Sequence, residues 1–133
     1  PVSTSNKIAL LGRGGVDPVY GGSGSGNVDT TTCATPRSGL EKAGFTLDEG
    51  VYNYFAGQVG NYARQNIVMD NYNGSTFFIG EVDPTDYNDG SKFTIDANET
   101  AVVFISRCGG EGLDLSTNLK RDAQTAASYL KWC

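Results

Sequence analysis

Residues 101–114 read AVVFISRCGGEGLD, and this stretch is the most informative part of the sequence. Its first half, Ala101 to Ile105, is a continuous apolar run, which is typical of a strand buried on both faces. The run stops at Ser106-Arg107, and a glycine-rich turn with a single carboxylate, Glu111, follows. Since α/β proteins bind ligands just past the carboxyl ends of their strands, Glu111 is a candidate catalytic residue. The flanking glycines let the backbone turn sharply and leave this carboxylate within reach of a ligand.

A second short apolar run, Ile8 to Leu11, is followed by a long segment rich in glycine, serine and threonine, for which a loop over residues 12–34 is expected. Residues 12–15 read GRGG and residues 21–26 read GGSGSG. If the two apolar runs are parallel strands of one sheet, the segments that follow them leave from the same edge. The pattern therefore predicts that Ser25 and Glu111 converge on one ligand, although they lie far apart in the sequence.

Two helices are predicted between these strands. Thr35 is suited to cap the first helix, Pro36 to its first position and Gly44 to its end, with Leu40 and Ala43 toward the core. Asp48 is suited to cap the second helix. Its apolar face would consist of residues at helical spacing, namely Val51, Phe55, Val59 and Tyr62.

The remaining patterns complete an alternation of strands and helices. Brief strands are predicted at Phe45–Leu47 and Thr76–Ile79, and the strongest strand at Ala101–Ser106. A final helix, capped by Ser116 or Thr117, would share an apolar face of Leu119, Ala123, Ala126 and Leu130. This order predicts a single α/β domain over residues 1–133, a doubly wound and mostly parallel sheet with helices on both faces.

Composition excludes several classes of function. The chain of 133 residues carries a net charge of −5, whereas nucleic-acid binding needs a basic footprint. No apolar run approaches the roughly 20 residues of a membrane span. The absence of histidine excludes Ser–His and Cys–His nucleophile pairs and disfavours the usual zinc sites. Three widely spaced cysteines favour buried or free thiols, and the sequence leaves open whether one disulfide forms and with which pairing. The abundance of Gly, Asn, Thr and Tyr slightly favours a secreted over a cytoplasmic protein.

The order of these segments resembles the α/β-sandwich domain of family-3 glycoside hydrolases, the β-glucosidase and β-xylosidase group. That family reads K-I-A and two apolar residues before a glycine, as in residues 7–12 here, and then G-G-x-G-S-G, as in residues 21–26. Next comes T-P-x-x-G-L-x-x-A-G, which stands here as TPRSGLEKAG at residues 35–44. The later strand of the family reads I-S-R-x-x-G-E-G-x-D-R, and only the last position differs here, where Leu115 replaces arginine. The resemblance covers most of residues 7 to 116.

The resemblance implies a retaining glycosidase that acts on a β-linked glucoside or oligosaccharide. Glu111 would be the general acid/base, and Ser25 would contact the sugar. The nucleophile would come from a (β/α)8 barrel domain in the same or another chain, since this chain is too short to contain one. We therefore expect the chain to be a part of a larger glycosidase and to be inactive alone. No metal or organic cofactor is implied, because two carboxylates suffice for the reaction.

Two other functions remain open from the sequence. A non-catalytic carbohydrate-binding or interaction domain would keep the fold without the enzyme activity. A nucleotide-binding domain would use residues 12–15 as its phosphate loop. That second alternative is disfavoured because Asp17 stands where the dinucleotide motif has its last glycine or alanine.

Overall fold

The computed structural model of the chain describes residues 2–20, 29–61, 64–65, 78–79 and 81–105. Ser25, Glu111 and the predicted final helix lie outside the described residues. In chain order the elements are β1 (Ile8–Leu11), α1 (Arg13–Val16), α2 (Pro36–Lys42), α3 (Glu49–Gln58), β2 (Arg64–Gln65), β3 (Phe78–Ile79), a 3-10 helix (Pro84–Asn88) and β4 (Thr100–Val103).

A parallel sheet is built on β1. It pairs with β4 in parallel register, so that Ile8 lies opposite Thr100 and Leu11 opposite Val103. Leu47 forms a single parallel bridge to Ile8, fixed by bonds of 2.9 Å from Ile8 N–H to the Thr46 carbonyl and from Asp48 N–H to the Ile8 carbonyl. The prediction of a mixed α/β fold with parallel strands is thereby confirmed. The brief strand predicted at Phe45–Leu47 is reduced to this one bridge.

A second, antiparallel pair joins β2 to β3, with Arg64 opposite Ile79. The strand predicted at Thr76–Ile79 is thus found over Phe78–Ile79, and its earlier residues lie outside the described part. The sequence analysis did not predict β2, because two polar residues carry no alternating apolar pattern.

All four residues of β1 are buried, and they contribute to two hydrophobic clusters on opposite faces of the strand. Ala9 and Leu11 pack with Val51 and Phe55 of α3 and with Val82. Ile8 and Leu10 pack with Leu47, and partly buried side chains surround them: Leu40 of α2, Phe45, Tyr52, Val102 and Phe104. Since each buried aliphatic or aromatic side chain contributes about 1.5–3 kcal/mol, β1 is the centre of the core.

The strand β4 corrects one prediction. Ala101, Val103 and Ile105 are exposed, with Ile105 at 57% of its full accessibility, so the run is not buried on both faces. The reason lies in the register. Ala9 and Leu11 pack with Val51 and Phe55 of α3, whereas their partners on β4, Ala101 and Val103, are not part of that cluster. Only Val102 and Phe104, on the opposite face, are half-buried. The strand also ends at Val103, before the predicted limit at Ser106.

The boundaries of α2 follow the predicted signals. Thr35 Oγ1 accepts a bond from Ser38 N–H (3.0 Å), and Ser38 Oγ accepts one from Thr35 N–H (2.9 Å), which completes a capping box. Pro36 opens the helix, and Gly44 follows its end with a φ of +89°. Leu40 packs toward the core as predicted. Ala43 is exposed, because the helix ends at Lys42 and the chain turns away at this C-cap.

The helix α3 begins at the predicted cap. Asp48 Oδ1 accepts a bond of 2.9 Å from Val51 N–H. Val51 and Phe55 are buried, as the helical spacing predicts. Val59 is half-buried at the C-cap, since the helix ends at Gln58, and Tyr62 lies outside the described residues.

Candidate functional site

The chain leaves β1 and β4 at the same edge of the sheet. Phe104 N–H donates to the Leu11 carbonyl over 2.9 Å, which extends the parallel pairing past the end of β4. Gly12 lies against the backbone of Phe104. A Cβ atom at position 12 would stand 2.3 Å from the Phe104 carbonyl oxygen, and the φ of +86° at Gly12 is itself unfavourable for any other residue. The segments that lead toward Ser25 and toward Glu111 therefore start side by side, although these two residues lie outside the described part.

The segment after β1 begins with a helical turn, α1, where the sequence analysis expected only a loop over residues 12–34. The turn packs directly on the strand before it. A Cβ atom on Gly15 would lie 2.9 Å from Leu10 Cγ, so only glycine allows this close approach. Local propensity gives no sign of this helix, because glycine disfavours helices and the contact with β1 stabilises the turn instead.

Arg13 is the only buried charged residue in the described part of the chain, with 4% of its surface exposed. Its guanidinium binds Asp17 one turn later, with Nη2 at 2.8 Å and Nε at 3.1 Å from Oδ2. Two bonds to one carboxylate fix the position of a side chain that would otherwise be flexible. Because burying one partner of such a pair alone is strongly unfavourable, the loss of either Arg13 or Asp17 should destabilise the turn.

Glu81 contacts the same turn from a distant part of the sequence. Both of its carboxylate oxygens lie 2.9 Å from Arg13 N, and Oε1 also accepts a bond of 2.8 Å from Val82 N–H. Burial raises the pKa of Glu81, and the bonds from Val82 and Arg13 and the charge of Arg13 oppose this effect without cancelling it. Glu81 is thus a partly buried carboxyl group whose charge is balanced mainly by backbone N–H groups.

The sequence analysis missed Glu81, although a signal was present. Phe78-Ile79-Gly80-Glu81 has the same order, apolar strand then glycine then carboxylate, that singled out Glu111. The strand before Glu81 belongs to the antiparallel pair, to which the rule on carboxyl ends of parallel strands does not apply.

An aromatic cluster adjoins Glu81. Phe55, Phe93 and Tyr87 have ring centroids 5.4 to 5.9 Å apart. Burial raises the pKa of Tyr87 far above its usual value, and the negative charges of Glu81 and Asp86 raise it further. Tyr54 Oη donates to Asp86 Oδ2 over 2.6 Å, which ties α3 to the 3-10 helix. These rings pack against Val82, the residue next to Glu81.

The contacts of Glu81 bear on the nucleotide alternative. A phosphate bound after β1 would accept bonds from backbone N–H groups at the start of the following helix. Here the N–H of Arg13 already donates to a carboxylate of the chain itself. A phosphate would have to displace Glu81 against charge repulsion, so this arrangement opposes nucleotide binding at residues 12–15.

Two carboxyl groups, those of Glu99 and Asp48, lie at the opposite edge of the sheet, near the amino ends of its strands. Glu99, just before β4, accepts a bond of 3.2 Å from Asp96 N–H with Oε2. Its Oε1 is buried, and no N–H or O–H group of the described part donates to it. Burial raises the pKa of Glu99, and its contacts with the carboxyl group of Asp48 and the nearby charge of Asp96 raise it further. The raised pKa therefore belongs to a carboxyl group whose charged form is disfavoured both by burial and by neighbouring acidic groups.

Within the described ranges, no group of three or more acidic, histidine or cysteine side chains is placed to hold a metal ion. No helix in that part is long and apolar enough to cross a membrane. Cys33 is exposed and forms no disulfide with the described residues, while Cys108 and Cys133 lie outside them.

Comparisons of the chain with protein-family profiles, with curated proteins and with solved structures found no match. The function must therefore follow from the residues of the chain and from the geometry of the carboxyl edge, the edge of the sheet at which β1 and β4 end.

Proposed function

We propose that the chain is the α/β part of a retaining β-glucosidase-like glycoside hydrolase, with a doubly wound, sandwich-like sheet. Glu111 is its general acid/base, and Ser25 contacts the sugar. One observation supports this assignment above all. The strands before these two residues, β1 and β4, are adjacent and parallel, and their following segments start in contact at Gly12 and Phe104. Two residues carried by such segments are well placed to act on one ligand.

The reaction needs two carboxyl groups with different tasks. One protonates the glycosidic oxygen as the bond breaks, and the other attacks the sugar carbon to form a glycosyl-enzyme. In this proposal Glu111 donates the proton in the first step and then removes a proton from water in the second. The nucleophile comes from a barrel domain, in the same chain or a partner, and the substrate is a β-linked glucoside or oligosaccharide.

The test is a Glu111→Ala variant of the enzyme assembled with its barrel. An alkyl or sugar leaving group needs its oxygen protonated, and general-acid help contributes about 10²- to 10⁴-fold, so hydrolysis of such substrates should fall by that factor. An activated aryl leaving group departs largely unaided, and its first step should be little affected. The second step still lacks its base, so a glycosyl-enzyme should accumulate. Azide, an anion that needs no base, should restore turnover and yield a β-glycosyl azide.

Glu41→Ala is the matched control, because Glu41 is an exposed glutamate on α2 and should leave both substrate classes unchanged. Equal losses for both substrate classes in Glu111→Ala, without rescue by azide, would remove Glu111 from the catalytic role. Binding of a β-glucoside by the assembled protein without any turnover would favour the non-catalytic carbohydrate-binding alternative instead.

A further inference from the structure

The carboxyl group of Glu81 joins parts of the chain that are far apart in sequence. Its two oxygens bind Arg13 N–H, 68 positions earlier, and its Oε1 also binds Val82 N–H beside it. The segment after β3 is thereby attached to the first residue of α1. This contact lies directly after Gly12, the residue that touches the backbone of Phe104. The point where the chain leaves β1 is therefore fixed from two sides.

The chemistry of this contact is unusual for a buried acid. The guanidinium of Arg13 forms two bonds to Asp17. Glu81 is held by backbone N–H groups, whose positions depend on the backbone conformation of Gly12 and Arg13. A carboxylate that is held in this way fixes a backbone conformation, whereas an ion pair would fix only a side chain. The bonds between Glu81 and Arg13 are themselves partly buried.

We propose that Glu81 is a positioning residue: its carboxylate holds the Gly12–Arg13 turn and so sets the direction in which the chain leaves β1 toward the sugar site. This inference rests on the proposed function for the identity of the ligand. In this proposal Glu81 acts through the backbone of Arg13 and touches neither the sugar nor the reacting atoms.

The amide signals of Arg13 and Val82 provide the first test, on the full chain. An N–H group that donates to a carboxylate shifts when the carboxylate is protonated. Both signals should therefore titrate together, with a midpoint above the ordinary glutamate value, because burial raises the pKa of Glu81. Glu81→Gln should abolish this titration. It also places an NH₂ group against Arg13 N–H or against Val82 N–H, since both oxygens of Glu81 accept bonds.

Hydrogen exchange at the same amides measures how firmly the turn is held. Glu81→Ala removes every bond to the carboxylate, and exchange at Arg13 should accelerate by roughly 10- to 100-fold, as expected for bonds to a charged acceptor. Glu41→Ala should change neither amide. Unchanged exchange and an unchanged titration in both Glu81 variants would overturn the proposal.

Kinetics of the assembled enzyme provide the second test and separate the two proposals. A positioning residue affects both leaving-group classes alike, so Glu81→Ala should lower kcat/KM by the same factor for activated and unactivated glucosides. Azide should not restore it, in contrast to Glu111→Ala. If Glu81→Ala behaves like Glu41→Ala while Glu111→Ala shows its expected pattern, the positioning role fails and the proposed function stands. If Glu111→Ala fails but the amides of Arg13 and Val82 respond as expected, Glu81 fixes the turn and the proposed function is wrong.

Discussion

Replacing Gly12 by alanine should separate the two strands that define the carboxyl edge. Glycine at this position has a φ of +86° and a ψ of 153°, a conformation that costs other residues about 1–3 kcal/mol. The added Cβ would also stand 2.3 Å from the Phe104 carbonyl oxygen, so the backbone at Phe104, just after β4, must move. That movement weakens the bond from Phe104 N–H to the Leu11 carbonyl, which contributes a further 0.5–1.5 kcal/mol or so. We expect Gly12→Ala to lower the free energy of unfolding by about 1.5–4.5 kcal/mol, the sum of these two contributions.

The assay is urea unfolding of the chain, followed in parallel by circular dichroism and by tyrosine fluorescence. Gly57→Ala is the matched control, because apart from the backbone of α3 itself no atom of the described residues lies within 4 Å of a Cβ at this position. That variant should raise the free energy of unfolding by about 0.5–1 kcal/mol, since alanine is the better helix former. A loss below about 1 kcal/mol in Gly12→Ala would refute the strained backbone conformation at Gly12 and the close approach to Phe104 that accompanies it, because the conformational strain alone should cost about 1–3 kcal/mol.

Three further outcomes are expected. Thr35→Ala breaks the capping box of α2 and should lower the free energy of unfolding by about 1 kcal/mol, measured by the same urea titration. The raised pKa of Glu99 means that its contribution to stability is complete at low pH and is lost as the pH rises through that pKa. Thermal unfolding at a series of pH values should therefore show the melting temperature of Glu99→Gln increasing relative to that of the wild type as the pH rises. A difference in melting temperature that stays constant with pH would contradict the raised pKa. The chain alone should hydrolyse no aryl β-glucoside above background in a release assay, and turnover that disappears in Glu111→Gln would mean that it contains a second catalytic carboxylate.

The elements that the sequence predicted well are those whose signals are local. The cap residues Thr35 and Asp48 bind N–H groups three positions later, so their patterns can be read without the rest of the fold. The four-residue run Ile8–Leu11 is apolar throughout and is buried throughout. In each case the chemistry that stabilises the element lies within a few residues of it.

The predictions that failed depend on distant partners. The exposure of Val103 is determined by how far α3 extends over the sheet, and the composition of β4 carries no information on this. The bond between Glu81 and Arg13 joins positions 68 residues apart, and a local sequence pattern does not relate residues over that distance. Arg13 itself stands in a run that reads as a flexible glycine loop, and burial against Asp17 and Glu81 gives it an ordered helical turn. The parallel pairing of β1 and β4 could thus be predicted from sequence, but not the contacts that hold this edge of the sheet together.

The pairing of Ile8 with Thr100 has a consequence for how the protein folds. Closing a loop of roughly 90 residues lowers the entropy by an amount worth about 4 kcal/mol, before any contact between the strands compensates for it. The bridge from Ile8 to Leu47 closes a much shorter loop, and α2 and α3 form next to it. We therefore expect β1, α2 and α3 to assemble first and β4 to dock last, in the rate-limiting step. Substitutions in α3 such as Val51→Ala should then slow folding, whereas Val102→Ala should mainly speed unfolding. During synthesis, the edge that carries the proposed site would be the last part of the described fold to form.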